Sequence, residues 1–156
     1  MVAVGYGFFD EKKELSTYID IAADEQQMLA RFWRMIVEVR RRMNNVITHN
    51  GHNFDLPFMK RRAFVLGMRV PTLRTKYNKW EDIFLDTMVE WGSGEWKAYV
   101  KLDHLAKLFG VQGKLEGVSG ADFWKLLRDN KVDLAREYLN SDIVATAAVA
   151  QKMFLL

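Results

Sequence analysis

The sequence predicts an α/β domain, a mixed sheet covered by helices, and three observations carry that expectation. β-rich runs open the chain and helical periodicity dominates its second half. With 49% apolar and 13% aromatic residues in 156 positions, the chain can bury a single core. No repeat, low-complexity tract or Pro-rich or Ser-rich linker divides it, so residues 1–156 read as one domain.

The runs from Val2 to Phe9 and from Glu14 to Ile21 flank the polar Asp10-Glu11-Lys12-Lys13, the pattern of an antiparallel hairpin. Asp24 and Gln27 form a capping box ahead of Leu29, Phe32, Trp33, Ile36 and Val37, which recur at helical spacing up to Arg40-Arg41-Arg42. Asn45 to His49 is a short strand. A polar turn follows, then a helix with Pro57 in its first turn and Gly67 beyond its end. Ile83 to Met88 is a further strand. Leu102, Leu105, Ala106 and Phe109 make a helix closed by Gly110, Ser119 and Asp122 cap another through Arg128, and Val132 to about Phe154 forms a long terminal helix.

Composition narrows the class. There is no cysteine, which excludes disulfide frameworks and thiolate metal sites and points to a reducing cytosol. Lys and Arg number 23 against 20 Asp and Glu, and the net charge of +3 leans weakly towards polyanionic partners. Val2 to Phe9 is too short to span a membrane and lacks a basic leader, so neither a membrane anchor nor a signal peptide is expected.

Two segments hold candidate chemistry. In Asn50-Gly51-His52-Asn53-Phe54-Asp55-Leu56-Pro57 an acid falls where a strand-turn element enters a helix, a position that can face a cleft. Taken alone, Asp55 is more economically a helix cap and Asn50-Gly51 a turn. In Tyr138-Leu139-Asn140-Ser141-Asp142 a phenol and a carboxylate sit one helical turn apart on one face, able to act on one water; alone, such a pair is a solvated helix edge.

Together, NGxxFDxP and a distant YxxxD resemble the second and third exonuclease motifs of the DnaQ-like superfamily. Lys60-Arg61-Arg62-Ala63, Leu85-Asp86-Thr87-Met88, Leu102 to Gly110, Gly113-Lys114 and Thr146 extend the likeness over nearly the whole chain, towards the predicted exonucleases related to the family-B DNA polymerase proofreading domain. Tyr138 places it in the tyrosine (DEDDy) variety. The resemblance implies a ribonuclease-H-like fold and hydrolysis of phosphodiesters from single-stranded 3′ ends by two Mg2+ or Mn2+ ions. It further implies that Asp142 is a direct metal ligand, that Asp55 serves the second ion and that Tyr138 orients or deprotonates the attacking water. Asn50 and Phe54 would shape the substrate cleft. The expected partner is single-stranded nucleic acid, DNA ahead of RNA, although no residue identifies a reader of the 2′-hydroxyl.

One motif is missing. The family's first strand carries Asp-x-Glu, and no such triplet occurs in the chain. Asp10-Glu11 has the wrong spacing and belongs to the hairpin turn. Val2 to Phe9 looks like the family's second strand; were it the first, the acids would fall near Gly5 and Gly7. The expectation is therefore a sheet missing or replacing its first strand, repaired by an upstream segment, a homodimer, a strand-supplying partner or a shift of Val2 to Phe9 beside Asn45 to His49. A chain in this form should be weak or inactive, and its rival reading is a non-catalytic nucleic-acid-binding or assembly module.

Arg40-Arg41-Arg42, Lys60-Arg61-Arg62 and Arg69, Arg74, Lys76 and Lys79 are candidate phosphate contacts, with Tyr77 and Trp80 as stacking rings. Trp33, Trp91, Trp96 and Trp124 are expected in the core or at its edge, Asp86 at a strand end, and His49, His52 and His104 away from any metal.

Overall fold

The computed structural model of the chain describes residues 2–42, 44–71, 83–115 and 117–155. Arg74, Lys76, Tyr77, Lys79 and Trp80 lie outside the described residues. The order of elements is β1 (Val2–Phe9), β2 (Leu15–Ala22), α1 (Glu25–Arg41), β3 (Val46–Thr48), α2 (Asp55–Val65), β4 (Phe84–Asp86), α3 (Thr87–Trp91), α4 (Leu102–Phe109), α5 (Phe123–Arg128) and α6 (Val132–Phe154), with one 3₁₀ turn at Trp96–Ala98. This is an α/β chain of small sheets flanked by helices. Antiparallel and parallel pairing both occur, as a mixed sheet requires, but in two two-stranded sheets, β1-β2 and β3-β4. Among the described residues β1 pairs with β2 and β3 with β4. No helix among them is long and apolar enough to cross a membrane.

The chain forms two compact units, Met1–Glu25 with Lys101–Leu156, and Gln26–Val100. In the first, the hairpin turns where sequence places it. Asp10 accepts hydrogen bonds at Oδ1 from the N–H groups of Lys12 and Glu14, both at 2.8 Å, and Lys13 adopts φ 64°. That accounts for Asp10 by turn chemistry alone. α6 lies on the ribbon, and α4 and α5 pack on α6. Gly5 and Gly7 make this possible: a Cβ at Gly5 would stand 2.9 Å from Ile143 Cδ1 and 3.4 Å from Leu139 Cβ, and one at Gly7 would stand 3.1 Å from Ile143 Cγ2. Polar ties fix the register of the helix. Thr17 donates to Asn140 Oδ1 at 2.7 Å, and Arg136 donates to the Ile19 carbonyl at 3.1 Å.

In the second unit α1 buries Met28, Leu29, Trp33 and Ile36, the stripe its periodicity specifies, while Arg41 and Arg42 stay exposed and pair with Glu38 at 3.4 and 2.9 Å. A buried Leu such as Leu29 contributes about 2 kcal/mol, whereas ion pairs this exposed are screened by water and add little. α2 buries Leu56, Met59 and Ala63. Gly67 at φ 65° and Gly110 at φ 64° follow α2 and α4 in the left-handed conformation that ends helices.

Two expectations are corrected. The strand over Ile83 to Met88 shortens to Phe84–Asp86, because Asp86 caps α3 by accepting from the N–H groups of Met88 and Val89. Of the four tryptophans expected in the core or at its edge, Trp33 is buried, whereas Trp91, Trp96 and Trp124 are 39%, 73% and 54% exposed. The Arg128 guanidinium lies 4.9 Å from the Trp124 ring centre and the Lys97 ammonium 5.7 Å from that of Trp96, so cations cover these rings at the surface.

Candidate functional site

On the second unit the turn after β3 is built from residues that accept unusual backbone. Asn50 sits at φ 64°, a region Asn tolerates better than most residues, and a Cβ on Gly51 would stand 2.5 Å from Thr48 Cβ. The Asn50 carbonyl accepts from the N–H groups of Asn53 and Phe54 at 3.2 and 3.0 Å, and the Gly51 carbonyl from that of Leu56 at 3.0 Å. The chain thereby enters α2 with Phe54 at the cap position, offering no side-chain cap, and Asp55 exposed in the first turn.

The organising group of this turn is Asp86, 1% exposed at the end of β4. Its Oδ1 accepts from the N–H groups of Asn50 at 2.9 Å and Met88 at 3.0 Å, and Oδ2 from that of His52 at 2.9 Å. The Thr48 hydroxyl at 3.2 Å and His52 Nδ1 at 3.1 Å complete the cage. Burial alone would raise the Asp86 carboxyl; the bonds from the His52 side chain and from the His52 and Asn50 backbones overcome it and hold the group well below the ordinary carboxylate range. His49 Nδ1 lies 2.9 Å from Thr87 Oγ1, which donates to the Thr48 carbonyl at 3.2 Å. Both histidines are thus engaged in the turn. Sequence reading assigned Asp86 to a strand end, and the structure adds the loop it anchors.

On the first unit Tyr138 and Asp142 meet on one face of α6. Tyr138 is 4% exposed, with the Phe123 ring 5.4 Å away. Ser141 accepts the Leu115 N–H at 3.0 Å, and Asp103 of α4 accepts the Lys114 N–H at 3.1 Å. These two anchors deliver Lys114 onto Asp142, with Nζ 3.0 Å from Oδ1 and 3.1 Å from Oδ2, and 5.8 Å from the Tyr138 ring centre. The bond runs to Oδ2. Asp142 Oδ1 lies within ion-pair range but is buried without a hydrogen-bond donor in line.

The titration directions fit that enclosure. Burial raises the Asp142 carboxyl above its ordinary value, against the pull of Lys114. Burial works on Lys114 in the opposite sense, yet the Asp142 charge lifts the ammonium above its ordinary value and keeps it protonated. Burial, followed by the Asp142 charge, raises the Tyr138 phenol, so at neutral pH it is a hydrogen-bond donor. Sequence reading quoted Lys114 in the resemblance but gave it no role, since its partner lies 28 positions away and nothing local marks the pair.

Tyr138 and Asp142 therefore come together on α6, and Asn50, Phe54 and Asp55 on the turn into α2. Hard carboxylate oxygens suit a divalent ion, and Asp142 offers one such group, paired here with Lys114. Among the described residues, however, no three His, Asp or Glu side chains gather into a metal-binding group. The fit is to one carboxylate, short of the set that two ions need.

A DNA polymerase of Thermococcus litoralis is 39% identical over 59 residues, which cover 38% of this chain and 3% of that protein. A DNA polymerase of Pyrococcus glycovorans is 37% identical over 60 residues, 38% of this chain and 8% of that protein. DNA polymerase 1 of Pyrococcus abyssi is 35% identical over 54 residues, 35% and 7% of the respective lengths. The chain thus matches only a small part of these curated relatives. The match to a family model runs over residues 2–156, and the chain belongs to the family of predicted 3′-5′ exonucleases related to the exonuclease domain of PolB.

Proposed function

We propose that the chain is one 3′-5′ exonuclease-like domain that engages single-stranded 3′ ends, DNA ahead of RNA, through Tyr138, Asp142 and Asp55. The observation that carries this reading is the state of Asp142: a largely enclosed carboxyl, raised by burial, one helical turn from a protonated phenol and paired with Lys114. Titratable groups shifted by burial and by one another on one face mark a candidate functional site. In this reading Asp142 and Asp55 would hold the metal, Tyr138 orients water by donation and Asn50 with Phe54 borders the substrate. Mg2+ or Mn2+, when bound, would supply activation of water and stabilisation of the leaving oxygen.

The same reading makes these 156 residues weak or inactive as a hydrolase, because they contain no Asp-x-Glu and the described residues hold no three-ligand group. A non-catalytic nucleic-acid-binding or assembly module is the second reading, favoured by Lys114, which already supplies a cation to Asp142. The cysteine-free composition suits work in a reducing cytosol.

A Mn2+ titration with a 3′-labelled single-stranded oligonucleotide tests the proposal. We expect at most one ion, lost in Asp142→Ala, and little degradation. Binding of two ions with rapid Asp142-dependent degradation would show a complete site and overturn the inactivity. Failure to bind either metal or oligonucleotide would remove the exonuclease-like reading.

A further inference from the structure

We propose that the groove between α1 and the Met68–Pro71 segment takes an extended peptide in which aliphatic side chains alternate with Asp or Glu, on a face that the exonuclease-like reading leaves unused. Both walls belong to one unit, Gln26–Val100. Ala30, Arg34 and Val37 follow at helical spacing on α1, each one residue beyond the buried Leu29, Trp33 and Ile36. A line so near solvent is ordinarily polar throughout, yet Ala30 is half-buried and Val37 is 39% exposed. The opposite wall is set by local backbone. Gly67 turns the chain out of α2 at φ 65°, the Met68 N–H donates to the Ala63 carbonyl at 2.9 Å, and Pro71 restricts Val70 to extended backbone. Met68, Val70 and Pro71 then face the α1 line across a groove of about 600 Å³, which Trp33 also lines. Ligand sites typically occupy about 300–1,000 Å³.

The occupant follows from the rim and from the backbone. Arg34 and Arg69 are exposed and line the groove, and no described residue that lines it is acidic. Among the described residues neither arginine is in a salt bridge. Two uncompensated cations beside an apolar floor suit a ligand that is both anionic and aliphatic. The N–H and carbonyl groups of Arg69 and Val70 make no backbone hydrogen bond among the described residues. They are open to a peptide that runs alongside, in the way a strand adds to a free edge. Alternate side chains of that peptide enter the groove, and the acids between them turn towards the rim. Single-stranded nucleic acid fits less well, because the Trp33 ring is 3% exposed and offers no face to a base. An anionic lipid would meet the arginines and the floor but leave the backbone groups unused.

Fluorescence anisotropy of the full chain with a fluorescein-labelled Gly-Leu-Glu-Val-Glu-Leu-Gly peptide tests this. The double variant Arg34→Glu with Arg69→Glu should weaken binding about tenfold at low salt, the size expected for two reversed rim charges. The same variant should bind the Gly-Leu-Lys-Val-Lys-Leu-Gly peptide, which wild type should not. Val37→Asp, which puts a charge on the apolar line, should weaken the first peptide by a similar factor. All three positions are exposed, and unchanged circular dichroism would confirm the fold. Hydrogen exchange at the Arg69 and Val70 amides should slow when the peptide binds, a readout that surface charge alone does not move. No binding by wild type, or binding that charge reversal leaves unchanged, overturns the proposal. Binding without amide protection means that the occupant is not an added strand and overturns it too. Displacement of the peptide by oligo-dT would make the groove a nucleic-acid surface, with the same consequence.

Discussion

Two largely enclosed carboxylates, Asp86 on one unit and Asp142 on the other, meet opposite fates. Asp86 is 1% exposed and sits among donors from Thr48, Asn50, His52 and Met88, so its charged form is favoured. The Asp142 side chain keeps 28% exposure, and its burial outweighs the pull of Lys114, 3.0 Å from Oδ1, so its charged form is disfavoured. The difference is one of donor supply more than of depth. An acid whose burial is fully compensated holds the chain together. One whose burial is left uncompensated is available to a ligand.

The sharpest way to break the comparison is to remove the first acid. Asp86→Ala leaves several buried N–H groups without an acceptor and should cost on the order of 3 kcal/mol in urea unfolding. Because the folded-state value of Asp86 is depressed, its contribution is present above the ordinary carboxylate range and is lost as pH falls through the depressed value. The gap between wild type and variant should therefore persist from neutral pH to about pH 4 and close only below it. A gap that closes between pH 7 and 5 would mean that Asp86 is not held in its charged form by this cage.

Gly51→Ala tests the turn that Asp86 holds. The added methyl meets Thr48 at 2.5 Å, so a loss of about 1–3 kcal/mol is expected, with displacement of Asn50 visible in amide chemical shifts. Asp142→Asn should act in the reverse direction. Its raised value means the folded chain holds this proton more tightly than the unfolded chain. Stability from this group is thus present below the unfolded pKa and lost as pH rises through the folded one. Removing the charge should raise the melting temperature by about 2 °C at neutral pH, with no gain in acid. A lower melting temperature would show that the Lys114 ion pair outweighs the burial cost. The smallest expected effect is in assembly. β1 is paired only with β2 among the described residues, and an unpaired strand edge should give weak, concentration-dependent dimerisation in light scattering.

What could be read from sequence was local. Asn50-Gly51, Gly67 and Gly110 announce their turns because few residues accept those backbones, and the α1 core follows from its period. The pairing of Tyr138 with Asp142 was legible because one helix carries both. The Asp86 cage was not, since the donors that tie it to the turn include the backbone N–H groups of Asn50 and His52, 36 and 34 positions away, and backbone donors leave no mark in side-chain identity. The exposure of Trp124 did have a sign. Arg128, four residues on, is the spacing at which a cation covers a ring, a sign that tryptophan's usual burial hides.

Gly5 and Gly7 act at one remove from all of this. Leu139 and Ile143, the side chains that rest on them, directly follow Tyr138 and Asp142 in the chain. The two glycines therefore work as a spacer gauge that sets the height of the Tyr138–Asp142 turn above the ribbon. A single methyl at Gly5, 2.9 Å from Ile143, must be absorbed by lifting or rotating that turn. The alignment of phenol and carboxylate can thus be retuned by substitution on a strand that supplies no chemistry, and variation there would pass for variation in the site itself.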